Sequence, residues 1–233
     1  MLDVPPGYDP NKYERPSVTV DVVIFTLQDA DLQVLLIQRK FPPFAGYWAI
    51  PGGFVQIDES LQAGALRELE EETGVRDVYI EQLYTFGKPD RDPRTRVITV
   101  AYLALLPKTA APTLQAGDDA AQAQWWSIYE LPHLAFDHAE ILDYALTRLR
   151  YKLEYSAVGF ELLPEKFTLS ELQAAYEIIL GEKLDRGNFR KKLRKSEAVE
   201  ATSEYRETGG RPARLYRFRD DAVAEIKARR LFP

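Results

Sequence analysis

The chain has 233 residues, 45% of them hydrophobic, with 36 acidic against 30 basic side chains and a net charge of −6, which suits one large or two smaller globular domains with a sizeable core. It contains no cysteine and two histidines, His133 and His138, which excludes a disulfide scaffold, a thiolate metal centre and a histidine-rich one; the histidines read as ordinary surface or helix-start residues, and a reducing cytoplasm is the expected location. No apolar run approaches the roughly 18 residues of a membrane span, and the opening decapeptide MLDVPPGYDP has no signal-peptide pattern, so no membrane partner is expected.

Two runs rich in Val, Ile and Leu, 17–27 and 32–40, flank turn-type residues and predict a β-hairpin. Next comes YWAIPGGFV, where Pro51, Gly52 and Gly53 supply a backbone able to turn tightly and approach a ligand closely. Asp58 to Ser60 offer capping oxygens for a helix that Gly74 should end. Within that helix Glu68, Glu71 and Glu72 stand three and four residues apart, a spacing that stacks carboxylates on one face, where they repel unless a cation lies between them. Hard oxygen donors point to Mg²⁺ or Mn²⁺, and because Mg²⁺ usually shares one or two carboxylates with substrate phosphates, a phosphate-bearing ligand follows. Arg67 can reach back eight residues to Glu59 and tie loop to helix.

Further strands are predicted at 77–86, 95–107 and 121–129, and a helix from Asp137 carries Ile141, Leu142, Ala145, Leu149 and Leu153 at helical spacing. The aperiodic stretch 154–167 contains Gly and Pro and divides a first domain, 1–153, from a second, 168–233. In the second, Thr168 and Glu171 form a capping-box pair, Gly181 closes the helix, and Asp185 caps another whose Phe189 and Leu193 point inward. Arg186, Arg190, Lys191, Arg194 and Lys195 are expected to face solvent from that helix, and a hairpin with Gly-Gly-Arg-Pro at its tip follows. Residues 1–185 carry 16 basic and 29 acidic side chains, whereas 186–218 carry 10 and 4. An acidic body with a compact basic segment marks a separate anion-binding surface. Helix, turn, basic helix and hairpin is the order of a winged helix-turn-helix, whose second helix fits the major groove of double-stranded DNA.

Residues 53–75 resemble the Nudix box, GX5EX7REUXEEXGU with U aliphatic, at every fixed position: Gly53, Glu59, Arg67, Glu68, Leu69, Glu71, Glu72, Gly74 and Val75. The resemblance implies an α/β/α sandwich with a mixed sheet, hydrolysis of a nucleoside diphosphate linked to another group, and Glu68, Glu71 and Glu72 as metal ligands. It also implies a base outside the box, for which Asp118 and Asp119 are the candidates. Gln122 and Gln124 stand where many relatives carry a glutamate, and an amide cannot accept that proton. Together with DRDPRTRVITVAYLALL (90–106) and the basic C-terminal region, the box resembles the Nudix-related transcriptional regulators of NAD metabolism, the NrtR family. That resemblance covers nearly the whole chain. It implies a homodimer in which ADP-ribose or a related nucleotide controls binding to operator DNA, with Arg186, Asn188, Arg190, Lys191 and Arg194 on the recognition helix and Arg211 on the wing. Arg39, Phe41, Gly52, Gly53 and Arg96 are the candidate ligand contacts. Many members have a degraded box and this chain does not, so ADP-ribose pyrophosphatase activity is the alternative reading.

Overall fold

The computed structural model describes residues 7, 9, 12–76, 78–107, 120–155, 162–207 and 212–219. Strand β1 (Ser17–Gln28) turns through Asp29 and Ala30, both at positive φ, into antiparallel β2 (Asp31–Arg39). Two left-handed residues make the tight connection whose twist matches that of a hairpin. β1 then pairs in parallel with β6 (Val97–Leu106) along its length, from Ser17 opposite Val97 to Thr26 opposite Leu106. β3 (Trp48–Ala49) and β7 (Ala120–Ser127) join β2, β4 (Gly52–Phe54) joins β1, and β5 (Glu81–Phe86) closes the far edge on β6. The result is a seven-stranded mixed sheet, and the parallel pair at its centre explains why β1 is apolar on both faces.

Alternation along β1 sorts those faces. Val20, Val22 and Ile24 pack against Ala65 and Leu69 of α1 (Leu61–Thr73), while Val23 and Phe25 share a core with Ile141, Leu142, Ala145, Leu149 and Leu153 of α2 (His138–Tyr155). One helix on each side of the sheet is the sandwich that the resemblance implied. α1 begins where the Ser60 hydroxyl accepts from Ala63 N–H and ends at Gly74, whose φ of 75° lets its N–H turn back to Glu70 O.

The C-terminal part follows the predicted order. Thr168 and Glu171 exchange both capping-box bonds at the start of α3 (Leu169–Leu180), and Gly181 ends it in the left-handed region. Asp185 accepts from Asn188 N–H to open α4 (Arg186–Ser196), whose Phe189 and Leu193 are buried. Antiparallel β8 (Val199–Arg206) and β9 (Ala213–Phe218) complete the wing, and Phe167 adds a bridge to Tyr216. The two parts share one hydrophobic core, which runs from Phe25 and Leu149 to Leu172, Tyr176, Ile179 and Phe189. Two polar bonds cross the same junction: Tyr129 donates its hydroxyl proton to Ile178 O, and Arg150 Nε donates to Ile179 O at 2.9 Å. They satisfy carbonyls in the last turn of α3, which a helix cannot satisfy internally. The segment read as a divider contributes Leu162 and Phe167 to this core.

Candidate ligand cavity and nucleic-acid interface

A cavity of about 400 Å³ opens at the end of the sheet where β1, β4, α1 and the start of α2 meet. Its acidic wall is built by the glycines. Gly52 N–H donates to Glu72 Oε2 at 2.8 Å, and a Cβ on Gly53 would lie 2.4 Å from the Glu68 carboxylate. Glycine is therefore required here for close approach, the reason anticipated from sequence.

Arg67 organises the loop. Its guanidinium donates to both carboxylate oxygens of Glu59, at 2.7 and 3.1 Å, to Glu68 at 2.8 Å, to Glu71 at 3.1 Å and to Phe54 O at 3.2 Å. The Arg67 bonds, with a further one from Gln56 N–H, hold the Glu59 carboxyl down at about 2, so the tie persists at any ordinary pH. Burial acts the other way on Glu72, pushing it up to about 8 against the Gly52 bond, with Glu68 and Asp21 adding repulsion. Burial also raises Glu68.

The three box carboxylates are not equivalent. Glu68 and Glu72 line the cavity, whereas the Glu71 side chain is 59% exposed and reaches the cluster through the Arg67 fork. Among the described residues no three His, Asp or Glu side chains form a ready cage for a cation. Two half-buried carboxylates beside an open cavity would suit a hard divalent ion, and such an ion would favour the charged form of Glu72 that burial opposes.

The opposite wall is cationic and aromatic. Arg91 is buried and forms a bidentate pair with Asp137 at 2.8 and 3.0 Å; Arg94 does the same with Asp92 at 2.7 and 3.0 Å. Arg94 lies over the rings of Phe54 and Phe136, and Arg39 lies over Phe136 with its Nε on Pro43 O. Paired, stacked guanidiniums are fixed in orientation before a ligand arrives, the arrangement that suits bidentate grip of a phosphate. Phe41, 58% exposed, stands at the mouth.

Arg39, Phe41, Gly52 and Gly53 thus line the cavity, and Arg96 does not. Its guanidinium instead braces Lys88 O and Val97 O. Sequence reasoning missed Asp21, Arg91, Arg94, Phe136 and His138. His138 does start a helix, but it is 4% exposed and forms part of the cavity wall, so the surface reading is corrected: its Nδ1 accepts Ile50 N–H and ties α2 to the strand end. Asp118 and Asp119 lie outside the described residues. Gln122 and Gln124 sit on β7 opposite Gln38 and Leu36, exposed and away from the cavity.

On α4, Arg186, Asn188, Lys191, Arg194 and Lys195 are exposed, as a groove-reading helix requires. Arg190 is half-buried: its Nε is enclosed without a hydrogen-bond partner, and with Arg194, Tyr216 and Arg219 it lines a second hollow between α4 and the hairpin. Arg211 lies outside the described residues.

Comparison with known proteins finds two matching families along the chain. The NUDIX domain family matches residues 17–148, and the NrtR DNA-binding winged helix domain matches 159–218. The chain is 42% identical to the ADPR responsive transcriptional repressor NtrR of Acinetobacter baylyi, over 91% of this chain and 85% of that protein. Shewanella oneidensis NrtR complexed with a 27mer DNA superposes with a TM-score of 0.78 at 39% identity, covering 92% of this chain and 99% of that one. The NUDIX domain of the same protein complexed with ADP ribose gives 0.57 at 40% identity, covering 61% and 94%.

Proposed function

The chain belongs to the NrtR family, Nudix-related regulators with a C-terminal winged helix, and we propose that it is an ADP-ribose-responsive transcriptional repressor of NAD metabolism. The observation that carries this reading is the shared core: one continuous packing unit joins a cavity with facing carboxylate and guanidinium walls to an exposed basic helix. Arg39, Arg91 and Arg94 grip the pyrophosphate of ADP-ribose. Glu68 and Glu72 would hold Mg²⁺ or Mn²⁺, which would supply positive charge to offset that of the phosphates. Two chains pair as a homodimer, so that two α4 helices meet two half-sites of operator DNA in the cytoplasm, and a ligand acts by favouring one placement of those helices over the other. Residues 1–153 form the sensing domain and 168–233 the reading domain.

A gel shift with the DNA upstream of the chain's own gene, with and without ADP-ribose, tests the proposal. Binding that weakens as salt rises and changes with ADP-ribose is expected; binding indifferent to both would end it. A second reading, ADP-ribose pyrophosphatase activity yielding AMP and ribose 5-phosphate, is favoured by the intact box and its Arg67 fork. Release of AMP with Mg²⁺ by the native chain but not by Glu72→Gln would establish it.

A further inference from the structure

The hollow between α4 and the hairpin holds about 730 Å³, the size of a pocket that takes up a drug-sized molecule. Its floor is apolar. Leu169, Leu193, Val199 and Tyr216 line it, and all four belong to or pack against the core that joins the two parts of the chain. Arg190, Arg194 and Arg219 stand around that floor, and Arg190 Nε is enclosed there without a hydrogen-bond partner. Of the two acidic residues on the rim, Glu200 is engaged by Arg217, and Glu197 ends α4 in the left-handed region. An occupant must therefore bring apolar side chains for the floor and an acceptor for Arg190, whose buried donor is costly to leave unpaired. The sugar-phosphate backbone of DNA offers the second and not the first.

The chain itself carries both. Val199 lies opposite Phe218 in the hairpin, and Arg219 N–H donates to Ala198 O at 3.2 Å, so the backbone leaves β9 at the rim of the hollow. The residues that follow, 220–233, read DDAVAEIKARRLFP and lie outside the described residues. Asp220, Asp221 and Glu225 precede the first cation, Lys227, and Ala222, Val223 and Ile226 have the spacing that would set them on one face of a helical turn. We propose that residues 220–233 seat in this hollow, with Val223 and Ile226 on the apolar floor and a carboxylate of the acidic trio on Arg190. A segment tethered at the rim meets its site at high effective concentration, an advantage that a second copy of the chain lacks. Once seated, it braces the inner face of α4 against the hairpin and leaves Arg186, Lys191 and Lys195 exposed on the helix for DNA.

The chain has no cysteine, so Val199→Cys places a single thiol on the floor of the hollow. Its rate of reaction with a maleimide is measured in the full chain and again after adding Val223→Asp and Ile226→Asp. With the segment intact the thiol should react about tenfold more slowly, because the reagent must wait for local opening, and the two aspartates should restore the fast rate. Lys191→Cys, exposed on α4 and away from the hollow, should react at one rate with and without the aspartates, which certifies the fold. Should the double substitution unfold the chain, Ile226→Ser alone takes its place and should release part of the protection. Equal rates for the Val199→Cys thiol in the two backgrounds would overturn the proposal. Protection that fades on dilution would do so as well, since a second copy would then supply the cover, and so would protection that appears only with operator DNA.

Discussion

Helices α1 and α4 are both highly charged, and they carry their charge in opposite ways. On α1 the functional carboxylates are pinned: Glu72 by Gly52 N–H, Glu68 by Arg67, and Arg67 in turn by Glu59 and Phe54 O. On α4 the cations Arg186, Lys191, Arg194 and Lys195 stand in solvent around a small apolar stripe of Phe189 and Leu193. The first region works because its charges are kept from water and from relaxing; the second works because its charges stay hydrated until a polyanion displaces counterions. Damage to the first should therefore register in stability and pH dependence, and damage to the second in DNA affinity and its salt dependence, with stability unchanged.

The largest effect belongs to Gly52→Ala. The added Cβ would fall 2.1 Å from Val20 O and 2.8 Å from Asp21 Cα, backbone atoms of a central strand that cannot move aside. A loss of roughly 3 kcal/mol is expected, measured by urea denaturation. Gly53→Ala meets the end of the Glu68 side chain instead, so it should cost less stability while driving that carboxylate out of the cavity. If both alanines cost the same, close packing at Gly52 is not what holds the acidic wall.

Arg186→Ala, Lys191→Ala and Arg194→Ala, combined, should lower operator affinity about 100-fold at physiological salt, and the slope of log affinity against log salt should fall by about 0.9 for each phosphate left unneutralised. Stability should stay within about 0.5 kcal/mol, because these side chains are exposed. A lowered melting temperature in this variant would erase the contrast between the two helices.

The pH response belongs to α1. Burial raises the Glu72 carboxyl to about 8, so between its unfolded value near 4.5 and that point the folded chain binds a proton that the unfolded chain has released. Stability must fall as pH rises through this window and level off above it. Metal-free protein should lose stability across this window on this account, and Glu72→Gln, which keeps an acceptor for Gly52 N–H, should flatten the curve. Melting curves from pH 5 to pH 9 in a chelator give the answer; parallel curves for the two proteins would place the titrating group elsewhere.

What was legible in the sequence was whatever local spacing dictates. The Arg67–Glu59 tie, the capping box at Thr168 and the inward pair Phe189 and Leu193 all depend on residues within one or two helical turns of each other. The cationic wall was not legible, because Asp21, Arg91 and His138 meet only through the parallel pairing of β1 with β6 and the docking of α2 on the strand end. One signal was available: Asp21 interrupts the apolar run of β1, and a charge in a fully buried strand demands partners. Within 90–96 the sequence has no periodicity to say which arginine turns inward, so it pointed to Arg96 where Arg91 and Arg94 line the cavity.

The smallest effect, and the one that joins the two regions, concerns α2. Its first turn contacts the cavity through Asp137 on Arg91 and His138 on Ile50 N–H. Its last turns reach α3, where Arg150 Nε holds Ile179 O, and α3 supports the recognition helix through Tyr176 against Phe189, with ring centroids 5.5 Å apart. A shift at the cavity end of one rigid helix must displace the other end, so Arg150 belongs to neither binding site and still lies between them. Arg150→Ala should leave the separate affinities for ADP-ribose and for DNA nearly intact while reducing, about fivefold, the factor by which each ligand alters the affinity for the other. Linkage requires the reduction to be equal in both directions. Titrating DNA with and without ADP-ribose, then ADP-ribose with and without DNA, measures it twice. Coupling that survives the substitution unchanged would mean that the signal does not travel along α2.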